Sequence, residues 1–309
     1  MAKIAIVGSG FIGRAWTISF ARSGQDVILW DKDESQPDNA ISYISDVLQD
    51  LVAHDLLNGQ EPSAVLARIT GTSDLGTAVD GADHIQENTP ERIEIKRGVF
   101  AELDALAAPD AVIASSTSAL LPSKFTDHLK GRERCLVAHP INPPYLIPAV
   151  EVVPSPWTSP EALERTRQLM ISAGQSPIMM QKEIDGFVMN RMQAALLEEA
   201  FRLVESGHAS VEDVDIGIRE GLAARWAFMG PFETIDLNAP AGVRDYTARY
   251  NGLFQNLFDQ MQHRADWTGP VLDRIETERR QQLSESDFEA RQKWRDLRLM
   301  ALAAHKRQA

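Results

Sequence analysis

The segment Gly8-Ser9-Gly10-Phe11-Ile12-Gly13 restricts what this chain can fold into more than any other feature. It follows the apolar run Ile4-Ala5-Ile6-Val7 and opens a stretch in which Phe11, Ile12, Ala15, Trp16, Ile18 and Phe20 recur with helical spacing up to Gly24. A second apolar run, Val27 to Trp30, ends at Asp31. Strand, tight turn, helix and strand therefore fill the first 31 residues, the opening unit of a parallel sheet. In such a unit Gly8 permits the tight turn, Gly10 lets the backbone approach a pyrophosphate, and Gly13 lets helix and strand pack closely. Phe11 and Ile12 begin the helix, whose N–H groups and dipole receive phosphate charge. Asp31 lies 18 residues past Gly13, where a carboxylate accepts hydrogen bonds from ribose hydroxyls and repels a 2′-phosphate. NAD is therefore expected over NADP, with Lys32 as the one contrary charge.

Further apolar segments at Ala82–Gln86, Ala111–Ser115, Cys135–Ala138, Ala149–Val153 and Ile178–Met180 alternate with helical or turn-like sequence. That alternation predicts an α/β domain over residues 1–184, with a Rossmann-type, mostly parallel sheet covered by helices. Strand signals stop near residue 184, and a smaller all-α domain is expected over residues 185–309. It opens with a long amphipathic helix closed by Gly207. Ser210 and Asp213, then Ser286 and Glu289, have the spacing of capping boxes. The last helix, Asp287 to His305, fits an amphipathic surface helix and a subunit contact equally.

Among 309 residues, 31 basic side chains face 44 acidic ones, a net charge of −13 that disfavours nucleic acid and anionic membranes as partners. Cys135 is the single cysteine, so no intramolecular disulfide forms and a Cys/His metal cluster is not expected. The start MAKIAIVGSG lacks the charged lead and apolar run of a signal peptide, and no apolar stretch reaches ~18 residues, so a cytoplasmic location is expected.

Polar residues of a different kind gather between 115 and 151. Ser115-Ser116-Thr117-Ser118 follows an apolar strand, at the edge of a parallel sheet where ligands bind. His139 ends the next apolar run and precedes Pro140. Glu151 sits among Val150, Val152 and Val153, and a carboxylate buried there needs a partner such as His139. Taken alone, His139 reads first as a structural histidine at a strand end.

Gly8-Ser-Gly-Phe-Ile-Gly13, Ser115-Ser-Thr-Ser-Ala-Leu120, His139-Pro-Ile-Asn-Pro143, Glu151-Val-Val153 and Ile184-Asp-Gly-Phe-Val-Met-Asn-Arg191 together resemble the 3-hydroxyacyl-CoA dehydrogenase superfamily. The resemblance spans nearly the whole chain. His139-Pro-Ile-Asn-Pro-Pro-Tyr145, Gly174-Gln-Ser-Pro177, Lys182-Glu-Ile-Asp-Gly-Phe187 and Gly230-Pro-Phe-Glu-Thr234 look most similar to its lambda-crystallin and L-gulonate 3-dehydrogenase branch. The resemblance implies that His139 is the general base, that Glu151 orients it, and that Ser118 and Asn190 hydrogen-bond the reacting oxygen. It also implies that Glu87 and Lys96 lie at the cofactor's edge and that the chain forms a homodimer.

Within that superfamily, charge separates coenzyme A thioesters from small free hydroxy acids. The 35 residues from Asp33 to Ala67 contain seven acids and no Lys or Arg, in the segment where the resemblance places basic residues for coenzyme A. Such acids also serve simply to solubilise a helix face. Arg225, in Ala224-Arg-Trp-Ala-Phe-Met-Gly-Pro231, has the chemistry to clamp a carboxylate, and a structural salt bridge fits it equally. The expected reaction is NAD-dependent oxidation of a small anionic 3-hydroxy acid, L-gulonate foremost, to the 3-keto acid. The alternatives are a 3-hydroxybutyryl-CoA type enzyme and, outside catalysis, a crystallin-like structural protein or a dinucleotide sensor. L-carnitine dehydrogenase is a further relative, but no aromatic or acidic cage for its cationic substrate is evident.

Overall fold

The computed structural model describes residues 2–307. Eight strands form one sheet: β1 (Lys3–Val7), β2 (Asp26–Trp30), β3 (Ile69–Thr72), β4 (His84–Glu87), β5 (Val112–Ser115), β6 (Cys135–Pro140), β7 (Ala149–Pro154) and β8 (Ser176–Met179), in the order β3-β2-β1-β4-β5-β6-β7-β8. Neighbouring strands from β3 to β6 run parallel. β7 is antiparallel to β6, and β8 runs parallel to β7. The mostly parallel sheet with flanking helices matches the expectation.

The central strands are apolar on both faces because helices cover both, and two clusters of buried side chains result. One gathers Ile4, Ile6, Trp16, Phe20, Ile44 and Leu48 under α1 (Phe11–Arg22) and α2 (Ser35–Ala53). The other gathers Ala5, Val7, Ile85, Phe100, Ile113 and Phe125 on the opposite face. Trp16 and Phe20, four residues apart on α1, stack at 5.2 Å and are fully buried, each side chain contributing roughly 1.5–3 kcal/mol by leaving water.

β3 was not expected. Its sequence, Ile69-Thr-Gly-Thr72, has one apolar residue and lies at the sheet edge, so it lacks the signal of a buried strand.

The chain divides into two compact units, residues up to Val188 together with those from Trp294 on, and Met189–Lys293. The break after Val188 lies four residues past the expected end of the first domain, and the residues from Trp294 on join that unit instead of the second. The break falls after the turn at Gly186, and the last helix, Phe288–Lys306, joins the first unit's core through buried Met300 with Leu297, Leu299 and Ala303 beside it. Arg307 adds hydrogen bonds to the Asp55 carbonyl and to Asn58.

The second unit is helical, opening with Met189–Glu205. Ser210 and Asp213 form the capping box that their spacing predicts. Ser286 does not: a short 3₁₀ turn occupies Glu285–Asp287, and the Ser284 hydroxyl is the one that donates to Asp287. Among the described residues no helix is long and apolar enough to cross a membrane.

Candidate functional site

The glycine-rich turn joins β1 to α1. Gly8 has φ +97°, a backbone state that side chains rarely adopt, and its N–H donates to the Trp30 carbonyl at 2.9 Å. A Cβ on Gly13 would stand 1.8 Å from the Gly8 carbonyl oxygen, so only glycine allows helix and strand to approach this closely. A Cβ on Gly10 would meet nothing within 4 Å, which leaves open space above the uncapped start of α1. Phe11 is 73% exposed there, while Ile12 is half-buried. Asp31 reaches back to the turn, accepting hydrogen bonds from the Ser9 amide at 3.0 Å and hydroxyl at 2.8 Å. An open glycine ledge, free helix N–H groups and a half-buried carboxylate at the end of β2 fit a dinucleotide.

Parallel register aligns the carboxyl ends of the next strands, with Val7 opposite Glu87, Glu87 opposite Ser115, and Ser115 opposite Val137. Glu87 and Lys96, expected at a cofactor's edge, pair with each other at the carboxyl end of β4. Both are buried, the Lys96 ammonium donating to Glu87 Oε1 at 3.0 Å, Oε2 at 2.9 Å and the Thr89 carbonyl at 3.0 Å. The pairing ties the end of β4 to the helix Ile93–Leu106, because a buried charge persists only when paired.

The serine-rich segment separates by environment. The Ser115 hydroxyl donates to Glu87 at 2.6 Å. Ser116 donates to Asn88 at 2.8 Å and accepts from Trp16 and Gln86. Thr117 is buried against Glu91, whereas Ser118 is exposed at the head of the loop. Glu91 escaped the sequence reading, since an exposed acid after Thr-Pro looks like a solvated turn residue. Its Oε1 accepts from the Ser118 and Ala119 amides at 3.0 and 3.1 Å and so positions that loop.

His139 and Glu151 are directly opposed in the antiparallel pair of β6 and β7, which puts both side chains on one face. His139 Nδ1 lies 2.7 Å from Glu151 Oε2, and both residues are buried, at 4% and 0% exposure. An N–H on Nδ1 donating to the carboxylate leaves the lone pair on Nε2, the arrangement of a base. The Val188 amide donates to the other carboxylate oxygen at 2.6 Å. That amide is delivered by a turn in which Phe187 N–H donates to the Ile184 carbonyl and Gly186 and Phe187 both have positive φ, 76° and 49°. Fully buried Phe187 then packs on the imidazole, ring centres 5.7 Å apart, offsetting the roughly 1–3 kcal/mol that such a backbone costs.

Asn190 and Arg225 belong to the second unit. Asn190 is half-buried in the first turn of Met189–Glu205. Arg225, at the end of Ala223–Trp226, is exposed and makes no ion pair among the described residues. Cys135 is buried, its thiol pushed up to about 12 mainly by burial, as befits an inert structural residue. No group of three or more His, Cys, Asp or Glu is set to hold a metal ion among the described residues.

Residues 3–184 match the NAD binding domain of 3-hydroxyacyl-CoA dehydrogenase, and residues 186–281 match its C-terminal domain. A lambda-crystallin homolog from Mus musculus is 40% identical over 308 residues, 99% of this chain and 96% of its own. A 3-hydroxyacyl-CoA dehydrogenase from Gibberella moniliformis is 36% identical over 309 residues, 98% and 94% of the two chains. Among solved structures, a 5-formyl-3-hydroxy-2-methylpyridine 4-carboxylic acid 5-dehydrogenase, described as an NAD+ dependent dismutase, is similar with a TM-score of 0.83 and 30% identity, covering 99% of this chain and 98% of that one.

Proposed function

The chain belongs to the 3-hydroxyacyl-CoA dehydrogenase family, NAD-dependent enzymes that act on hydroxyl groups, and from that premise we propose that it oxidises a small free 3-hydroxy acid, L-gulonate or a close analogue, to the 3-keto acid. The observation that carries the chemistry is the buried pairing of His139 with Glu151 on the carboxyl-edge side of the sheet. His139 Nε2 takes the hydroxyl proton, and Glu151 stabilises the imidazolium that forms. NAD, when bound, supplies the hydride acceptor. Gly8, Gly10, Gly13 and the first amides of α1 hold its pyrophosphate, and Asp31 its ribose. Ser118 and Asn190 hydrogen-bond the reacting oxygen, and Arg225 clamps the substrate carboxylate.

The choice of a free acid rests on charge. The stretch Asp33–Ala67, which includes α2, has no basic residue, and Asp38 and Asp46 are exposed along it. The name of the pyridine carboxylic acid enzyme supports a free acid, while that of the Gibberella relative favours a thioester. NADH formation from L-gulonate, 3-hydroxybutyrate, L-carnitine and 3-hydroxybutyryl-CoA, measured side by side, decides between them. A kcat/KM highest for the thioester overturns the free-acid reading, and turnover of none of them returns a structural or sensing role.

A homodimer is part of the proposal. The buried apolar side chains of residues 189–293 are Val204, Val211, Ala239 and Val271, too few to stabilise a helical unit alone. Leu253, Leu257 and Phe258 on the helix Val243–Gln260 are exposed instead. Sedimentation at micromolar concentration tests this, and a monomer there overturns it.

A further inference from the structure

A cavity of about 640 Å³ lies in the first unit, away from every residue assigned above. Its walls are the turn after α1, the loop joining β6 to β7, the end of the helix Pro160–Ser172 and the end of the last helix. Arg22, Lys306 and Arg307 line it, and among the described residues no Asp or Glu does. In a chain where acids outnumber bases 44 to 31, three cations on one cavity without a carboxylate run against composition.

The pairing of these cations is incomplete. Arg307 donates to the Asp55 carbonyl and the Asn58 amide oxygen, both uncharged. The half-buried Arg22 guanidinium makes neither an ion pair nor a hydrogen bond among the described residues. Burial, reinforced by the neighbouring Arg307 charge, pushes Arg22 down to about 10, which leaves it charged at neutral pH. A desolvated cation beside a second one is costly unless an anion joins them, and planar guanidinium forks suit oxyanions. Ser23 and Ser176 add hydroxyls to the lining and Leu56 and Leu146 add apolar wall, within a volume suited to a small molecule.

We propose that this cavity is a binding site for a small, multiply charged oxyanion, a phosphate ester or a dicarboxylate, held by Arg22 and Arg307. The test is calorimetric titration of the full chain with inorganic phosphate and, separately, with succinate. Ionic strength is held constant with chloride, and saturating NADH blocks the glycine-rich turn. Saturable binding of one anion per chain is expected, weakened about tenfold or more in Arg307→Gln and Arg22→Gln and unchanged in Arg225→Met. Preference for phosphate identifies a phosphorylated ligand, and preference for succinate a dicarboxylate. Absence of binding by both anions, or binding unchanged in Arg307→Gln, overturns the proposal. Arg307 is exposed, so its variant keeps the test decisive even where Arg22→Gln fails to fold, and turnover without added anion stays at the wild-type level in both.

Discussion

The amide of Val188 donates to Glu151 at 2.6 Å, so the carboxylate that faces His139 is also anchored to the turn before the second unit begins. With one oxygen held by backbone and the other by imidazole, Glu151 has little freedom to rotate away. His139→Ala is expected to lower kcat by about 100- to 10,000-fold while NADH still binds. Glu151→Gln keeps the shape but loses the charge that stabilises an imidazolium, and is expected to lower kcat by less. Stopped-flow hydride transfer and NADH fluorescence titration check both, and full activity in His139→Ala overturns the assigned base.

Ser116 and Ser118 are expected to respond in opposite ways to alanine. Removing the Ser116 hydroxyl takes a partner from Asn88 and Trp16 and one of two acceptors from the Gln86 amide, at about 1–3 kcal/mol of stability, with little change in KM. Ser118→Ala should leave the unfolding midpoint in place and lower kcat. Denaturant unfolding alongside steady-state kinetics separates the two.

The glycines of the turn divide likewise. Gly13→Ala drives a methyl into the Gly8 carbonyl and is expected to cost about 1–3 kcal/mol or more, or to prevent folding. At Gly10 the added methyl has room in the free protein, so Gly10→Ala should keep the wild-type Tm and weaken NADH binding.

Arg225→Met removes an exposed guanidinium that makes no ion pair among the described residues and should leave stability unchanged. The KM for a free hydroxy acid is expected to rise by about tenfold or more, with the KM for NAD unaffected. An unchanged KM for the acid removes Arg225 from the site.

His84 supplies a pH dependence. Burial chiefly, aided by Arg165 and opposed by the hydrogen bond to Gln86, pulls its imidazole from 6.5 down to about 4. Between those values the unfolded chain holds a proton that the folded chain refuses, so stability falls as pH drops through this window, by up to ~1.4 kcal/mol per pH unit. His84→Gln should flatten that part of the curve relative to wild type, as urea midpoints measured from pH 7 to 4 will show.

Sequence made the first βαβ unit readable because glycine spacing, apolar runs and Asp31 all report on one local turn. His139 and Glu151 were readable as a pair since only twelve residues separate them and both interrupt apolar strands. Glu91 was not, because its partners Ser118 and Ala119 lie 27 and 28 residues away and nothing local marks an exposed acid as a loop holder. The burial of Lys96 was hidden for the same reason: it depends on Glu87, and spacing does not tell a surface lysine from a buried one. The last helix showed its amphipathic face but not what it packs on, since the core cluster that Met300 joins draws its other members, Ile44 and Leu48 among them, from far away in the chain.

The reversal of β7 makes the meeting of His139 and Glu151 a matter of parity. The two are opposed rungs of an antiparallel ladder, and successive side chains on a strand alternate faces. Adding or deleting one residue in the connection 141–148, if it slips β7 by one rung, turns Glu151 to the far face and sets Val150 or Val152 before the imidazole. A change of two restores the facing but moves the carboxylate along the strand. The length of this connection is thereby tied, residue by residue, to whether the imidazole meets a carboxylate at all.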